Sequence, residues 1–377
     1  MKIGLYSVTD KAIFDALNQN KISNEDMRNL FFKRGILIST KTQRKSLAID
    51  FSKYYHGYKD FQHLSDVLGS IGRREKSTNN YIKTALDKND FEACIRNTLS
   101  ELNKEGDTTK IVATPNGSFD ILVKYVKLDY KLSEFRQSST REANIQIELL
   151  ENNEYLVRCP PNSKSDEFMA ILETKIKEES DNNDFSNDTI TLESVKLSSE
   201  RTRFFMELIH NMEHHEFIDV SDVFISHPVS LEVERASLSD DNEKDDEESS
   251  PPDLGYHISK ASLKGRGVLE SDELKDLLDK DFYISKVIWT IKNKNYIDSD
   301  MIEIEAQFSD SDNCRIFSYL IRGYYPYISI GEYNKNRKAF DIVRERELSK
   351  LLEKTAKEIS DRIVKDNLTT RADIKGA

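Results

Sequence analysis

The hydrophobic pattern of this chain changes its period near residue 107, and that change limits the possible fold more than any other feature. Before it, short apolar clusters at helical spacing are separated by glycines, which predicts short helices joined by tight connections. The helical spacing continues through residues 79–103 and stops at a polar stretch. We therefore expect residues 1–107 to form a helical module.

Residues 108–236 have the pattern of a mixed domain. Segments rich in β-branched and aromatic residues alternate with segments whose apolar residues recur every three or four positions. The predicted order is β-β-β-α-β-α-β, with strands at 119–128, 145–149, 155–159, 189–197 and 217–225 and helices around 168–176 and 201–212. This order favours an α+β domain.

An acidic segment, residues 237–255, separates this domain from the rest. Its core, residues 239–253, holds eight acids and one lysine and no apolar side chain, so it cannot bury enough surface to offset the entropy of ordering. We expect a disordered linker. It is either a solvated loop, a decoy that competes with nucleic acid for the basic end of the chain, or a tether for a basic partner.

Residues 256–377 are expected to form an antiparallel meander followed by a long helix. Strand patterns at 282–291, 301–308 and 315–321 are separated by turn-rich segments. The helix, about 338–365, has one apolar stripe that either packs on the meander or binds a partner helix. The fold class predicted for the whole chain is α+β, with an N-terminal helical module before a mixed body.

Composition excludes several classes of protein. Of the 377 residues, 37% are hydrophobic and 9% are aromatic, which is enough for packed cores and too much for a wholly disordered chain. No apolar run is long enough to span a membrane, and the first residues lack the apolar core of a signal peptide, so we expect a cytoplasmic protein. The three cysteines are too far apart in sequence for a CxxC zinc site or a disulfide framework.

Charge is distributed unevenly along the chain. The net charge is −12, yet residues 1–80 contain 14 lysine and arginine residues against 8 acidic residues. Such a difference between segments is typical of a basic binding module attached to an acidic body.

The most informative stretch is residues 22–54. It predicts a helix ending at Lys33-Arg34-Gly35, an extended connection from Ile36 to Thr40, and a second helix whose first turns carry Lys41, Arg44 and Lys45. Cations at a helix start are unfavourable for the helix dipole unless an anion is bound there. A phosphate group, held by free backbone N–H groups and these side chains, would supply that anion.

These residues resemble the helix–extended loop–helix of SAP-like DNA-binding domains. In that family a glycine and an aliphatic residue close the first helix and a lysine opens the second, and Gly35, Ile36 and Lys41 would fill those places. The family's second glycine is absent, and the interval from Ile36 to Leu47 is longer than the family's. The resemblance covers residues 22–54 only and implies DNA binding; an unrelated helical hairpin is the alternative.

A second basic cluster lies at a predicted helix boundary and contains Arg73, Arg74 and Lys76. Guanidinium and ammonium groups are suited to a sugar–phosphate backbone, although a solvated turn would have the same composition. The predicted nucleic-acid-binding residues are therefore Lys33, Arg34, Lys41, Arg44, Lys45, Arg73, Arg74 and Lys76.

Two further patterns bear on metal binding and catalysis. His210 and His214 have the i, i+4 spacing of a metal pair, but the glutamate of the HExxH pattern is misplaced, so we expect no metal site there. Glu303 and Glu305 share a strand face, which is either solvated or part of a degenerate metal-dependent nuclease. The chain has no P-loop, GxGxxG, GxSxG or kinase motif, and we expect no cofactor.

The expected function is non-catalytic binding of nucleic acid, with DNA favoured. The α+β body and the terminal helix would dock a protein partner or a second copy, and a lysine-, asparagine- and isoleucine-rich composition suggests an accessory or sensor subunit of a bacterial phage-defence or mobile-element system. The alternatives are a divergent metal-dependent nuclease and a pure assembly protein.

Overall fold

The computed structural model of the chain describes residues 9–18, 22–69, 75–114, 118–131, 135, 138–150, 154–180, 185–228 and 259–375. The helices within those ranges are α1 (Asp10–Leu17), α2 (Asn24–Phe32), α3 (Arg44–Ser52), α4 (Tyr58–Gly69), α5 (Lys88–Lys104), α6 (Ser163–Glu179), α7 (Ser198–His210), α8 (Asp272–Leu278) and α9 (Ile342–Lys375). The strands are β1 (Ser77–Lys83), β2 (Thr108–Ala113), β3 (Phe119–Leu128), β4 (Ser138–Leu149), β5 (Glu154–Cys159), β6 (Ser186–Asp188), β7 (His215–Ser226), β8 (Lys260–Lys264), β9 (Tyr283–Asn293), β10 (Met301–Asp310), β11 (Arg315–Tyr325), β12 (Tyr327–Ser329) and β13 (Glu332–Tyr333). The predicted α+β class is confirmed, with N-terminal helices, antiparallel sheet and a long C-terminal helix.

The chain divides into two compact units that are not contiguous in sequence. The first consists of residues 1–75, 83–155 and 162–185, and the second of residues 76–82, 156–161 and 186–377. This division differs from the boundaries expected at 107 and 236. The expected linker, residues 237–255, lies outside the described residues.

In the first unit, α1–α4 share one apolar core. Ile13, Leu17, Met27, Leu47 and other apolar side chains of these helices are buried together. The Ser23 side chain and the Asp26 side chain form a capping box that starts α2. The amphipathic spacing predicted for this segment is therefore realised as a small helical bundle.

The rest of the first unit is an antiparallel meander with two long helices. Strands β2, β3 and β4 pair in order, and α5 packs against α6. Asp87 caps α5 by accepting hydrogen bonds from two backbone N–H groups of the first turn. The helix predicted over residues 79–103 is confirmed only from Lys88 onward. Its first part is wrong, because residues 77–83 form strand β1.

The second unit is built on an antiparallel sheet with helices on one face. Its strand order is β5–β1–β11–β10–β9–β7–β8, and β6 pairs with β1. The predicted meander of β9, β10 and β11 is confirmed, and the Ser271 side chain caps the N-terminus of α8 by accepting from the Leu274 N–H. Residues 189–197, expected to form a strand, do not form one. A short strand, β6, lies just before them at residues 186–188.

The apolar stripe of α9 is covered within the second unit. Leu348, Leu352, Ala356, Ile359 and Ile363 are buried, and α9 packs against α7 and β11. The helix begins at Ile342 and not at Lys338, because the backbone of Lys338 pairs with that of Tyr324 in β11. The stripe is therefore occupied by the chain's own core.

Among the described residues, none of the helices has the length and apolar character that a membrane crossing requires.

Candidate nucleic-acid interface

The connection between α2 and α3 begins with a turn at residues 33–35, continues through residues 36–39 without regular secondary structure and turns again at residues 40–41. Gly35 has a φ of 75°, the left-handed conformation that glycine adopts most readily. Its N–H donates to the carbonyl of Phe32 at 2.8 Å, and the N–H of Ile36 donates to the carbonyl of Phe31 at 3.0 Å. These bonds end α2 and turn the chain into the connection to α3.

The N-terminus of α3 lacks the usual features that stabilise a helix start. Its N-cap residue, Gln43, makes no side-chain capping bond, and its first turn contains no acidic residue. Lys41 and Lys45 are exposed on either side of this N-cap. The sequence predicts Lys41 in the first turns of α3. This prediction is wrong, because α3 begins at Arg44 and Lys41 precedes the helix.

The Arg34 side chain is used inside the helical module. Its guanidinium donates to Asp60 Oδ2 at 2.9 Å and lies 3.0 Å from His56 Nδ1. It also stacks over the rings of Phe51 and Tyr54, at 5.0 and 5.6 Å from the ring centroids. Arg34 therefore joins the α2–α3 connection to α4, and its Nη2 group is already engaged.

Arg44 and Lys33 have protein partners as well. The Arg44 guanidinium donates to the carbonyl of Leu17 at 2.9 Å and so links α3 to the end of α1. The Lys33 ammonium is exposed and lies 3.0 Å from His63 Nε2. Of the predicted residues in this module, Lys41 and Lys45 are the two whose side chains extend into solvent without a described partner.

Of the second predicted cluster, the structure describes Lys76 and neither of the two arginines. Lys76 belongs to the second unit, immediately before β1, and its ammonium lies 2.7 Å from Glu305 Oε1. Arg73 and Arg74 lie outside the described residues. The structure thus gives Lys76 a carboxylate partner in place of a phosphate.

The sequence favours a solvated strand face for Glu303 and Glu305, and this prediction is wrong because both side chains are buried. They are only 8% and 7% exposed, because cationic side chains cover them. Glu305 Oε1 is 2.7 Å from the ammonium groups of both Lys76 and Lys286. Glu303 Oε2 lies 3.2 Å from Arg322 Nε.

Two more groups complete the surroundings of Glu303. The Arg337 guanidinium is ion-paired with it, and the Tyr325 hydroxyl donates to Glu303 Oε1 at 2.9 Å. Sequence reasoning missed Lys286, Arg322 and Arg337. Polar and apolar residues alternate along β9, and Lys286 occupies a polar position, so the face of the sheet on which it lies could have been inferred. Its pairing with Glu305 on the neighbouring strand could not.

The electrostatics of this cluster favour ion pairing over metal binding. Burial raises the pKa of Glu305, but the neighbouring ammonium groups of Lys286 and Lys76 outweigh it and hold that pKa below its usual value. Burial lowers the pKa of Lys76. A divalent cation placed between these glutamates would be repelled by four positive side chains. Within the part of the chain that is described, no three His, Cys, Asp or Glu side chains are arranged to hold a metal.

The histidines that were weighed as a metal pair are separated by the end of a helix. α7 ends at His210, whose Nδ1 lies 2.8 Å from the carbonyl of Met206. His214 follows in a turn with a φ of 59°. The i, i+4 relation that the sequence suggested is therefore not a helical one.

No family model matches this chain, and no curated protein matches it.

Proposed function

We propose that this chain binds nucleic acid, with DNA favoured, through the N-terminus of α3. The observation that carries this proposal is the exposed pair Lys41 and Lys45 at a helix start without a side-chain cap or an acidic residue. Free backbone N–H groups at a helix start and two ammonium groups beside them are complementary to a phosphate.

A comparison with α2 supports this choice. Both helices have nine residues and belong to the same small bundle. α2 neutralises its own N-terminus with the capping box of Ser23 and Asp26 and with Glu25 in its first turn. α3 places cations where α2 places carboxylates, which costs stability unless an external anion is bound.

In this proposal Arg34 and Arg44 are positioning residues. Each makes a contact that fixes the α2–α3 connection, to Asp60 and to the carbonyl of Leu17 respectively. Phosphate contact is left to Lys41 and Lys45, with Lys33 exposed at the end of α2. Such a small set of contacts favours weak, salt-sensitive binding without sequence preference.

The compartment proposed for this activity is the cytoplasm. Cys94, Cys159 and Cys314 are free and buried thiols, which supports a reducing environment.

Charge reversal at α3 tests the proposal. The double variant Lys41→Glu/Lys45→Glu is expected to bind a short fluorescent DNA duplex at least about tenfold more weakly than the unchanged chain, measured by anisotropy at about 50 and 200 mM salt. The slope of log affinity against log salt is expected to fall by about two, one for each lost phosphate contact.

The matched control is Lys110→Glu/Lys127→Glu. It changes the net charge equally, at exposed lysines of β2 and β3 in the same unit. An equal loss of affinity in both double variants would mean that overall charge, and not α3, accounts for binding. Salt-independent binding, or none at low salt, would also refute the proposal.

A second candidate function, self-association, is favoured by exposed apolar side chains in the second unit. Ile297 and Ile330 are 85% and 86% exposed, and they lie in the turn before β10 and between β12 and β13. Asp300 connects these segments to α9, since it accepts a hydrogen bond from the Tyr327 N–H at 3.1 Å and lies 3.4 Å from Arg344. Large apolar side chains with this degree of exposure are candidates for a protein contact.

Sedimentation velocity tests this second function. We propose a second copy of this chain as the partner, and expect the unchanged protein to sediment faster as its concentration rises. Ile297→Ser/Ile330→Ser is expected to sediment as a monomer throughout, because both exposed apolar side chains are removed. A monomer in both cases would contradict self-association.

A further inference from the structure

The second unit carries a compact group of charges on the sheet face that includes Glu303 and Glu305. We call it the cationic cluster: Lys76, Lys286, Arg322 and Arg337 around Glu303 and Glu305. Arg322 connects its two halves, since its Nε lies 3.2 Å from Glu303 and 3.7 Å from Glu305. Four positive and two negative side chains leave an excess of positive charge.

The donors of the cationic cluster exceed the acceptors that the two carboxylates provide. A guanidinium has five N–H donors and an ammonium three, whereas an ionised carboxylate offers about four acceptor sites. The Nε of Arg322 faces the glutamates, and no partner among the described residues takes up its two terminal amino groups. Arg322 and Arg337 are 28% and 34% exposed, so these donors can be reached from solvent.

The backbone around Arg322 is shaped to present it. The pairing register of β10 and β11 shifts after Glu303, which lies opposite Gly323 while Ile304 lies opposite Ile321. Arg322 is therefore the extra residue of a β-bulge, and bulges of this kind redirect a side chain. Two strands thus place Arg322 over both glutamates.

A second backbone feature brings in Arg337. The Tyr324 N–H donates to the carbonyl of Lys338 at 2.9 Å, and the Lys338 N–H donates back at 2.8 Å. This bridge fixes the segment that carries Arg337 beside β11. It requires a close approach at Gly323, whose φ is 134° and where a Cβ would lie 2.2 Å from the Lys338 oxygen.

We propose that the cationic cluster is a binding site for a phosphate group. The two guanidinium forks would bind phosphate oxygens, while Glu303 and Glu305 hold the cations in place. An anion adjacent to the cluster would balance its excess charge. This site lies in the second unit and does not depend on the function proposed for α3.

Titration with inorganic phosphate tests the site. At constant ionic strength, with chloride as the balancing anion, phosphate is expected to bind saturably and to raise the melting temperature of the protein. Arg322→Gln is expected to weaken phosphate binding about tenfold or more, because two charge-assisted hydrogen bonds are lost. Both glutamates keep a cation in this variant, Arg337 for Glu303 and the two lysines for Glu305, so its fold is expected to persist.

The control variant is Lys264→Gln. Lys264 is an exposed cation of the same sheet, on β8, and is paired with Asp222 at 3.2 Å. It is expected to bind phosphate like the unchanged protein. Unchanged phosphate binding in Arg322→Gln, or equal weakening in both variants, would overturn the proposal, as would the absence of saturable binding to the unchanged protein.

A spectroscopic measurement covers the case in which Arg322→Gln does not fold. The Nε–Hε NMR signal of Arg322 in the unchanged protein is expected to shift as phosphate is added, and a signal that stays in place would overturn the proposal. Competition then identifies the source of the phosphate. Displacement of inorganic phosphate by a DNA oligonucleotide would assign the site to a polynucleotide, and displacement by a mononucleotide alone would assign it to a small molecule.

Discussion

Replacing Glu353 by alanine is expected to lower the free energy of unfolding of the second unit by about 3–5 kcal/mol. Glu353 lies on α9 and is buried; Arg158 Nε donates to both of its oxygens, at 2.7 and 2.8 Å. The Tyr319 hydroxyl donates to the same carboxylate. Burial, together with the negative charge of Glu353, raises the pKa of Tyr319, so this hydroxyl remains a donor.

The cost arises because Arg158 would keep its charge in a buried site and lose its carboxylate. Urea unfolding, followed by circular dichroism, measures the change. Glu358→Ala is the matched control, since Glu358 is an exposed glutamate on the same helix and is expected to matter by less than about 1 kcal/mol.

A double variant separates lost charge pairing from lost packing. Arg158→Met/Glu353→Leu removes both charges and is expected to be more stable than Glu353→Ala alone. If Glu353→Ala were no less stable than Glu358→Ala, the buried pair would have no role in attaching α9 to the sheet.

The second large effect is expected at Gly323. Alanine at this position would place a Cβ 2.2 Å from the carbonyl oxygen of Lys338, and its φ of 134° is one that side chains rarely adopt. Because the obstructing atom is backbone, the bridge between Tyr324 and Lys338 must open. We expect a loss of at least about 3 kcal/mol in the free energy of unfolding.

Gly331→Ala is the control for conformational strain without the clash. Gly331 has a φ of 79° with nothing within 4 Å of the added Cβ. It is expected to cost about 1–2 kcal/mol, the price of a left-handed conformation alone. Equal losses in the two variants, measured by thermal unfolding, would show that the close approach at Gly323 is relieved without cost.

Local patterns predicted the elements whose signals are local. The helices of the bundle, the three-stranded meander of β9 to β11 and the stop at Gly35 follow from periodicity and from the conformational freedom of glycine. Strand β1 was missed because its pairing partner, β11, lies far along the chain, with Ser77 opposite Tyr319. Tertiary pairing of this kind overrides local propensity.

In the candidate sites, too, contacts between residues far apart in the sequence could not be predicted from local patterns. Exposed lysines at a helix start can be inferred from spacing, as for Lys41 and Lys45. The use of Arg34 inside the bundle could not, because Asp60 and the aromatic rings around it come together only on folding. The burial of Glu305 likewise depends on Lys76, just before β1, and on Lys286 in β9, which are far apart in the sequence.

The insertion of residues 76–82 into the second unit has a consequence for biosynthesis. These residues are synthesised well before β11, the strand with which they pair. The second unit therefore cannot close until β11 has been made, and until then β1 keeps the edge that pairs with β11 unpaired. A nascent chain stopped before β11 would expose this strand, and chaperone dependence is expected to be greatest at that stage.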